Sequence, residues 1–266
     1  MIVSKREIYQ YSYCPEKHKL QYVEKIDAPP TKEMVLGVLL HATREMLERE
    51  EYTIVKKVRK DFSFGDILEE YKNRRDAILE GALKKKASLV HILLKEDLDF
   101  AREDLTLLLH EKAIKTKRVL QCYNLEKDDL AVYVSPPWKY VRHEMKAKKM
   151  KLQGTADCIE HFGSFFYPVE IKTGKPPKEN VFTQDKLEIG CVALLMEDYF
   201  RVPIPVGFVE YTQIWERRPV RVDENLKKNV FRIRDSILER KYPEKEYTQK
   251  CLSCEYRGVC WDDPNN

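Results

Sequence analysis

The sequence lacks long apolar segments. No apolar run approaches the roughly 18 residues that a membrane-spanning helix needs, and the first residues, MIVSKREIYQ, lack the apolar stretch of a secretory signal peptide. Internal repeats and low-complexity tracts are absent as well. With 43% hydrophobic and 35% charged residues, the 266-residue chain is typical of a globular protein that buries a core. We therefore expect a cytoplasmic protein that does not contact a membrane.

A large excess of either charge is also missing. The chain has 48 basic and 44 acidic residues, which gives a net charge of +4. Because this excess is small, the overall charge supports a polyanionic partner only weakly, and local clusters have to carry that argument.

The apolar pattern changes along the chain. Residues 31–50 have apolar side chains at helical spacing, and residues 66–120 continue with a helical period and without proline, which predicts two or three further helices. From residue 131 onward, strand-like segments begin (AVYV, YVRHEMKAKKMKLQGTADCIEHF, SFFYPVEIKTG). They are followed by a helix (FTQDKLEIGCVALLMEDYF), a strand (VGFVEYTQIWER) and a helix (DENLKKNVFRIRDSILER). The order predicts an α/β core with a helical insertion.

One predicted hairpin brings opposite charges to a strand face. Gly163–Ser164 is flanked by strand-like residues and is typical of a two-residue type II′ turn. Such a turn pairs residues whose numbers sum to 327, so Asp157 is predicted to lie opposite Glu170. Side chains repeat with period two along a strand, which places Lys172 on the same face as Glu170.

Two opposed carboxylates need a counter-charge. Like charges on neighbouring strands are destabilising unless they are neutralised, and Mg²⁺ or Mn²⁺ prefers carboxylate oxygens. Asp157, Glu170 and Lys172 together suit phosphodiester hydrolysis, because a bound metal activates water and a lysine stabilises developing phosphate charge. From spacing alone, an exposed Glu–Lys strand face is an equally good interpretation.

The seven cysteines fall into distinct groups. In a cytoplasmic chain they are expected to be metal ligands or core residues rather than disulfides. Cys122, Cys158 and Cys191 are isolated in apolar patterns, Cys14 stands alone beside Pro15, and the remaining three form one C-x₂-C-x₅-C cluster at Cys251, Cys254 and Cys260. By spacing alone, a zinc site and an iron–sulfur cluster are about equally supported, and four cysteines suit a [2Fe-2S] cluster as well as a [4Fe-4S] cluster.

These motifs together resemble one nuclease family. Asp157 in GTADCIE, the Glu170-x-Lys172 of VEIKTGK and His41 in GVLLH match the D…ExK core and upstream GxxxH of RecB-like nucleases in the PD-(D/E)xK superfamily. Cys14 in YSYCPEKHKLQY, with the three cysteines of KCLSCEYRGVC, matches the iron–sulfur members. Of these, the chain most resembles the CRISPR-associated Cas4 exonucleases.

The resemblance implies a fold, two cofactors and a site. The fold is a restriction-endonuclease-like α/β core with a mixed central sheet. A [4Fe-4S] cluster on Cys14, Cys251, Cys254 and Cys260 would join the N- and C-terminal segments, residues 1–30 and 241–266. The nuclease core would comprise residues 31–50 and 130–240, with a helical insertion at 51–129. Implied ligands of Mg²⁺ or Mn²⁺ are His41, Asp157, Glu170 and the main-chain carbonyl of Ile171; Lys172 would act on the water or the phosphate.

The implied activity is DNA cleavage from an end. Members of the family degrade single-stranded DNA ends or overhangs, here expected in the 5′ to 3′ direction, and process CRISPR spacer precursors together with the CRISPR integrase. Two alternatives stay open. One is a weakly active DNA-binding or adaptor protein of the same fold, and the other is a DNA repair or replication nuclease outside CRISPR.

One family motif is altered, and one set of lysines is only suggestive. The family's QxxxY helix has Glu188 and Val192 at the Gln and Tyr positions, or else begins at Gln184, so Gln184 and Glu188 are candidate accessory residues. A run of charged residues is usually a solvated surface. Five lysines near the predicted site are nevertheless candidate contacts to DNA phosphates: Lys146, Lys148, Lys149, Lys151 and Lys175.

Overall fold

The computed structural model describes residues 1–135, 140–162 and 165–261. Two compact units make up the chain: Met1–Thr31 with Arg142–Asn266, and Lys32–Val141. The sequence predicted three regions, namely the iron–sulfur segments, the nuclease core and the helical insertion, and this division stays a prediction. Within the described ranges, no helix is both long enough and apolar enough to cross a membrane.

Helices and strands alternate in the first unit, and the second is helical. The strands are β1 (Val3–Ser4), β2 (Tyr140–Ala147), β3 (Leu152–Phe162), β4 (Phe165–Lys172), β5 (Val206–Tyr211) and β6 (Glu216–Arg221). The helices are α1 (Lys5–Tyr13), α2 (Pro15–His18), α3 (Lys32–Val55), α4 (Phe64–Lys72), α5 (Arg75–Lys85), α6 (Ala87–Val90), α7 (Lys95–Tyr123), α8 (Lys127–Val134), α9 (Thr183–Phe200), α10 (Glu224–Leu238) and α11 (Arg257–Cys260). Short π-helical or 3₁₀ turns occupy Lys19–Val23, Thr212–Ile214 and Gln249–Ser253.

The strands form one mixed sheet. Among the described residues its order is β1-β3-β4-β5-β6, and β2 also pairs with β3. β1 runs parallel to β3, and β4 runs parallel to β5, while the β3–β4 and β5–β6 pairs are antiparallel. α9 connects the parallel strands β4 and β5, as a parallel crossover requires.

The β3–β4 register agrees with the prediction. Its pairs run from Cys158 opposite Val169 to Phe162 opposite Phe165, and their numbers sum to the value expected from a two-residue turn. The turn itself, Gly163–Ser164, lies outside the described residues. On the far side of the sheet, the predicted single strand VGFVEYTQIWER is instead two strands, because Trp215 adopts a left-handed conformation (φ 53°) that turns the chain from β5 into β6.

A capping box starts α1. The Ser4 N–H donates to the Glu7 carboxylate at 2.8 Å, and the Glu7 N–H donates to Ser4 Oγ at 3.1 Å, so two amides at the helix start are satisfied. The helix ends at Cys14, which has an extended backbone. Pro15 then occupies the first position of α2, where a backbone N–H would have no partner within the helix, so proline loses no hydrogen bond there. Local sequence therefore sets both ends of α1.

The second unit is built around its own apolar core. α3 matches the helix predicted at 31–50. The stretch 66–120 was predicted to form two or three helices, but this part of the chain forms four, α4 to α7, because the turns at residues 73–74, 86 and 91–94 divide it. The segment AVYV, predicted as a strand, is instead the end of α8. Its residues Leu130, Ala131 and Val134 lie on one helical face and are buried in the core of this unit. Packing of that face outweighs the strand preference of valine and tyrosine.

Candidate active site

Adjacent strands bring two carboxylates together. Continuing the β3–β4 register by one pair beyond Cys158 and Val169 places Asp157 across from Glu170. Their side chains are buried, at 8% and 3% exposure. The main-chain N–H of Ile171 donates to Asp157 Oδ2 at 3.0 Å, and a guanidinium nitrogen of Arg142 lies 3.5 Å from Asp157 Oδ1. The role of these two acids as site residues stays a prediction.

Lys172 lies among further acids. Its ammonium donates to Glu188 and lies 3.4 Å from Asp185 Oδ1. The ring of Tyr9 lies against it, with the ammonium 4.7 Å from the ring centroid. Tyr211 at the end of β5 donates to Asp185 Oδ2 at 2.8 Å and fixes that carboxylate. Lysine, two acids and two tyrosines thus form one connected polar network.

Glu188 and Gln184, the candidate accessory residues, both lie on α9. Glu188 is buried and contacts Lys172, whereas Gln184, one turn earlier, is half-buried. Asp185 was missed by sequence reasoning, although its position three residues before Glu188 puts both on one helix face and was a usable signal.

Lys5 is the second residue that the sequence did not point to. It is the first residue of α1, and its ammonium lies 2.5 Å from Glu170 Oε1 and 3.9 Å from Glu188 Oε1. Gly154 of β3 permits this approach, because a Cβ there would lie 2.8 Å from the Lys5 Cβ. Nothing in the sequence near Lys5 identifies the strand that α1 meets, so only the fold reveals this contact.

The electrostatics show a shortage of positive charge. We call Asp157, Glu170, Asp185 and Glu188 the carboxylate cluster. Burial, and then the neighbouring Asp157, raises the pKa of Glu170 to about 8 even though Lys5 is adjacent. Burial opposes the charge on Lys5 and Lys172, but the surrounding carboxylates outweigh it and raise the pKa of both ammonium groups.

A divalent cation would balance part of this negative charge, although within the described ranges no three His, Cys, Asp or Glu side chains are grouped closely enough to hold a metal ion. Buried carboxylates that share a volume are stable only when they are protonated or neutralised by cations. Hard oxygen donors are also the ligands that Mg²⁺ and Mn²⁺ prefer. Asp157 and Glu170 are the members that lie on adjacent strands.

The remaining predicted metal ligands and DNA-contacting residues lie outside the carboxylate cluster. His41 is half-buried on α3, in the second unit, and its role as a ligand stays a prediction, as does that of the Ile171 carbonyl. The candidate DNA-contacting lysines are all exposed. They lie on β2, in the turn between β2 and β3, or after β4: Lys146, Lys148, Lys149, Lys151 and Lys175.

The four cluster cysteines are half-buried and near one another. Cys14 contributes to the raised pKa of Cys254 and of Cys260, although burial is the larger cause for each. The Lys17 N–H points at Cys14 Sγ, and the Thr248 N–H points at Cys251 Sγ, both at 3.4 Å. The second of these amides lowers the pKa of the Cys251 thiol.

Soft sulfur donors with N–H partners fit an iron–sulfur cluster or zinc. In the part of the chain that the structure describes, no three His, Cys, Asp or Glu side chains are already grouped closely enough to hold a metal ion. The ligand set stays a prediction. Of the other cysteines, Cys158 and Cys191 are buried and Cys122 is exposed.

A family model decides the wider assignment. The model described as PD-(D/E)XK nuclease superfamily matches residues 3–261. The chain belongs to this superfamily. The predicted fold, a mixed α/β core of the PD-(D/E)XK type, is thereby confirmed. The assignment of Asp157, Glu170 and Lys172 to the D…ExK motif stays a prediction from the sequence.

One curated relative of this nuclease is similar over part of its length. The chain is 27% identical over 130 residues to the CRISPR-associated exonuclease Cas4 of Francisella tularensis subsp. novicida (strain U112). This match takes in 46% of the chain and 64% of that protein, so less than two thirds of the relative is covered. The crystal structure of SSO0001 aligns with 70% of this chain and 80% of its own, at 13% identity and a TM-score of 0.35.

Proposed function

We propose that this superfamily nuclease is a metal-dependent DNA exonuclease that degrades single-stranded ends or overhangs, in the 5′ to 3′ direction. The observation that carries the proposal is the buried Asp157–Glu170 pair on adjacent strands, with Lys172 on the same face as Glu170. The similarity to an exonuclease supports the choice of DNA ends as substrate.

Asp157 and Glu170 would hold Mg²⁺ or Mn²⁺. Such an ion supplies a polarised phosphoryl oxygen and a water of lowered pKa. The protein's own part is to keep both carboxylates in register on the sheet, where Ile171 N–H orients Asp157 at 3.0 Å. Lys172 stays charged among the acids and places its ammonium where it orients water or stabilises negative charge on phosphate. Exposed Lys148, Lys149 and Lys175 would contact the DNA backbone.

Cleavage of end-labelled single-stranded DNA in Mn²⁺ tests the proposal. Wild type is expected to release the 5′ label first, and Asp157→Asn, which keeps the side-chain shape, is expected to be at least 100-fold slower, in the range found when one transition-state contact is lost. Glu160→Gln is the matched control. Glu160 lies on β3 but pairs with Arg217 at 2.8 Å, and this variant should cleave at the wild-type rate. Equal rates for wild type and Asp157→Asn would contradict the proposal.

We further propose a [4Fe-4S] cluster on Cys14, Cys251, Cys254 and Cys260, with a structural role. Support comes from the mutual influence of these thiols and from the amides that point at two of them. Iron and sulfide analysis of protein purified without oxygen is expected to give about four of each per chain. Bound zinc without sulfide would contradict it.

In the cell, we propose processing of CRISPR spacer precursors with the CRISPR integrase, on the strength of the similarity to a CRISPR-associated exonuclease. A duplex with single-stranded overhangs should be trimmed to its duplex core. The adaptor alternative is favoured by one observation, the presence of Glu188 and Val192 at the Gln and Tyr positions of QxxxY. Overhang binding without trimming, by protein with its cluster intact, would support that alternative. A wild type that trims overhangs but does not associate with the integrase would favour a repair nuclease.

A further inference from the structure

A buried ammonium group contacts the carboxylate cluster from outside the D…ExK motif. Lys5 lies at the start of α1, its side chain is 13% exposed, and its ammonium lies 2.5 Å from Glu170 Oε1. An ammonium removed from water costs several kcal/mol unless carboxylates compensate it. Lys5 is thus retained in this position by its acidic neighbours.

The negative charge of Glu188 offsets the positive charge of Lys5. Glu188 occupies a position where the resemblance expects a neutral glutamine, and its carboxylate contacts both Lys172 and Lys5. The substitution adds one negative charge to a buried site, and Lys5 adds one positive charge to the same site. The two residues offset each other.

The backbone and Cβ of Lys5 are fixed by packing and hydrogen bonds, whereas its ammonium group can change position. Lys5 directly follows Ser4, whose capping box fixes the start of α1. Two residues before Lys5, the Val3 N–H donates to the Lys151 carbonyl at 2.9 Å. The Lys5 Cβ packs against Gly154. Beyond that contact, the three flexible carbons Cγ, Cδ and Cε let the ammonium move from Glu170 toward Glu188 without moving α1.

We propose that Lys5 is a positioning residue that serves as the internal counter-cation of the metal site. In the metal-free protein it neutralises Glu170 and holds that carboxylate in place. When a divalent cation binds, Lys5 gives up Glu170 and keeps Glu188. This inference rests on the proposed metal-dependent function. Its consequence is that Lys5 weakens metal binding while it stabilises the metal-free fold.

The test is the Mn²⁺ dissociation constant measured by titration calorimetry. Lys5→Met removes the competing charge and is expected to lower the constant by roughly tenfold, the order expected for one adjacent charge. Lys227→Met is the matched control. Lys227 is a half-buried lysine of the same unit that pairs with Glu197 at 2.9 Å and Glu224 at 3.5 Å, and its loss should leave the constant unchanged. A purely structural lysine would give unchanged or weaker binding in Lys5→Met.

Further variants and thermal melts separate an effect on metal binding from an effect on folding. Lys5→Arg keeps the charge and is expected to bind Mn²⁺ as wild type does, and Lys5→Gln is expected to follow Lys5→Met. In a thermal melt, Lys5→Gln should melt lower than wild type in EDTA and gain more from added Mn²⁺. Equal constants in wild type, Lys5→Met and Lys5→Gln would overturn this inference alone. A wild type that does not bind Mn²⁺ would overturn the proposed metal-dependent nuclease as well.

Discussion

At the scale of single residues, charge balance explains the site. The carboxylate cluster has four acids, and Lys5 and Lys172 are the ammonium groups in direct contact with it. Strand periodicity and turn chemistry were sufficient to predict the β3–β4 register, but the resemblance to the nuclease family was needed to select Asp157, Glu170 and Lys172 as site residues, and that role stays a prediction. Lys5, Tyr9 and Tyr211 were not predictable, because each reaches the site through the packing of a distant element.

Replacement of Glu188 tests its place in the metal site. Glu188→Gln removes one carboxylate, so Lys5 and Lys172 compete more strongly for Glu170, and Mn²⁺ affinity should fall about tenfold. Cleavage should then be slow at limiting Mn²⁺ and recover at saturating Mn²⁺. Glu197→Gln is the control, because Glu197 lies on the same helix but pairs with Lys227 at 2.9 Å. Unchanged cleavage by Glu188→Gln at limiting Mn²⁺ would remove Glu188 from the site.

His18 should make stability depend on pH. It is buried against Tyr22 and its Nδ1 lies 3.0 Å from the Tyr242 hydroxyl, with Glu7 3.9 Å from its other nitrogen. Burial lowers the pKa of His18 to about 4, from 6.5 in the unfolded chain. The unfolded state therefore binds the extra proton first, and stability falls as the pH falls from about 6.5 toward 4.

The expected size of this effect is about 2 kcal/mol between pH 7.5 and pH 5. His18→Phe keeps a ring in the aromatic cluster but cannot take up the proton. Melting temperatures measured at both pH values should therefore fall further for wild type than for His18→Phe, by several degrees. The same decrease in both proteins would show that His18 is protonated to the same degree in the folded and unfolded states.

At the scale of elements, α1 joins the two proposed chemistries. Lys5 contacts the carboxylate cluster, Tyr9 of the same helix packs against Lys172, and Cys14 directly follows the last residue of the helix. The sequence was sufficient to set the β3–β4 register, through the predicted two-residue turn. It was insufficient for α8, since four apolar residues suit a strand or a buried helix equally.

The close contact between α1 and β3 can be tested at a glycine. In Gly154→Ala the new Cβ would lie 2.8 Å from the Lys5 Cβ and 3.2 Å from Leu195 Cδ1, so one of them must shift. Overpacking of this kind costs about 1–3 kcal/mol, and the melting temperature should fall by several degrees. Gly174→Ala is the control, because nothing lies within 4 Å of its added Cβ. Equal melting temperatures would mean that α1 lies further from β3.

At the scale of the whole molecule, contacts hold the two ends of the first unit together. Lys17 pairs with Glu255 at 2.7 Å, the Tyr13 carbonyl accepts from Lys250 at 3.3 Å, and His18 contacts Tyr242. Each ion pair or hydrogen bond of this kind contributes only about 1 kcal/mol on its own. A cluster on Cys14 and the three C-terminal cysteines would add most of the stability of this junction.

Loss of the cluster should open this junction. Cys14→Ala is expected to lower the melting temperature by about 5–10 °C, from 2–4 kcal/mol of lost linkage, and to expose residues 241–261 to limited proteolysis. Cys122→Ala is the matched control, because Cys122 is an exposed cysteine of the second unit. If the tail of Cys14→Ala resists protease as the wild-type tail does, the cluster does not hold the chain ends.

The pairing of β1 with β3 has a consequence for synthesis on the ribosome. Val3 and Ser4 pair with Leu152 and Gln153, about 150 residues later, whereas the second unit is one uninterrupted segment. At translation rates of about 5–20 residues per second, β3 is synthesised on the order of ten seconds after β1. The nascent chain thus holds its first strand, and Lys5 with it, unpaired until most of the protein has been made.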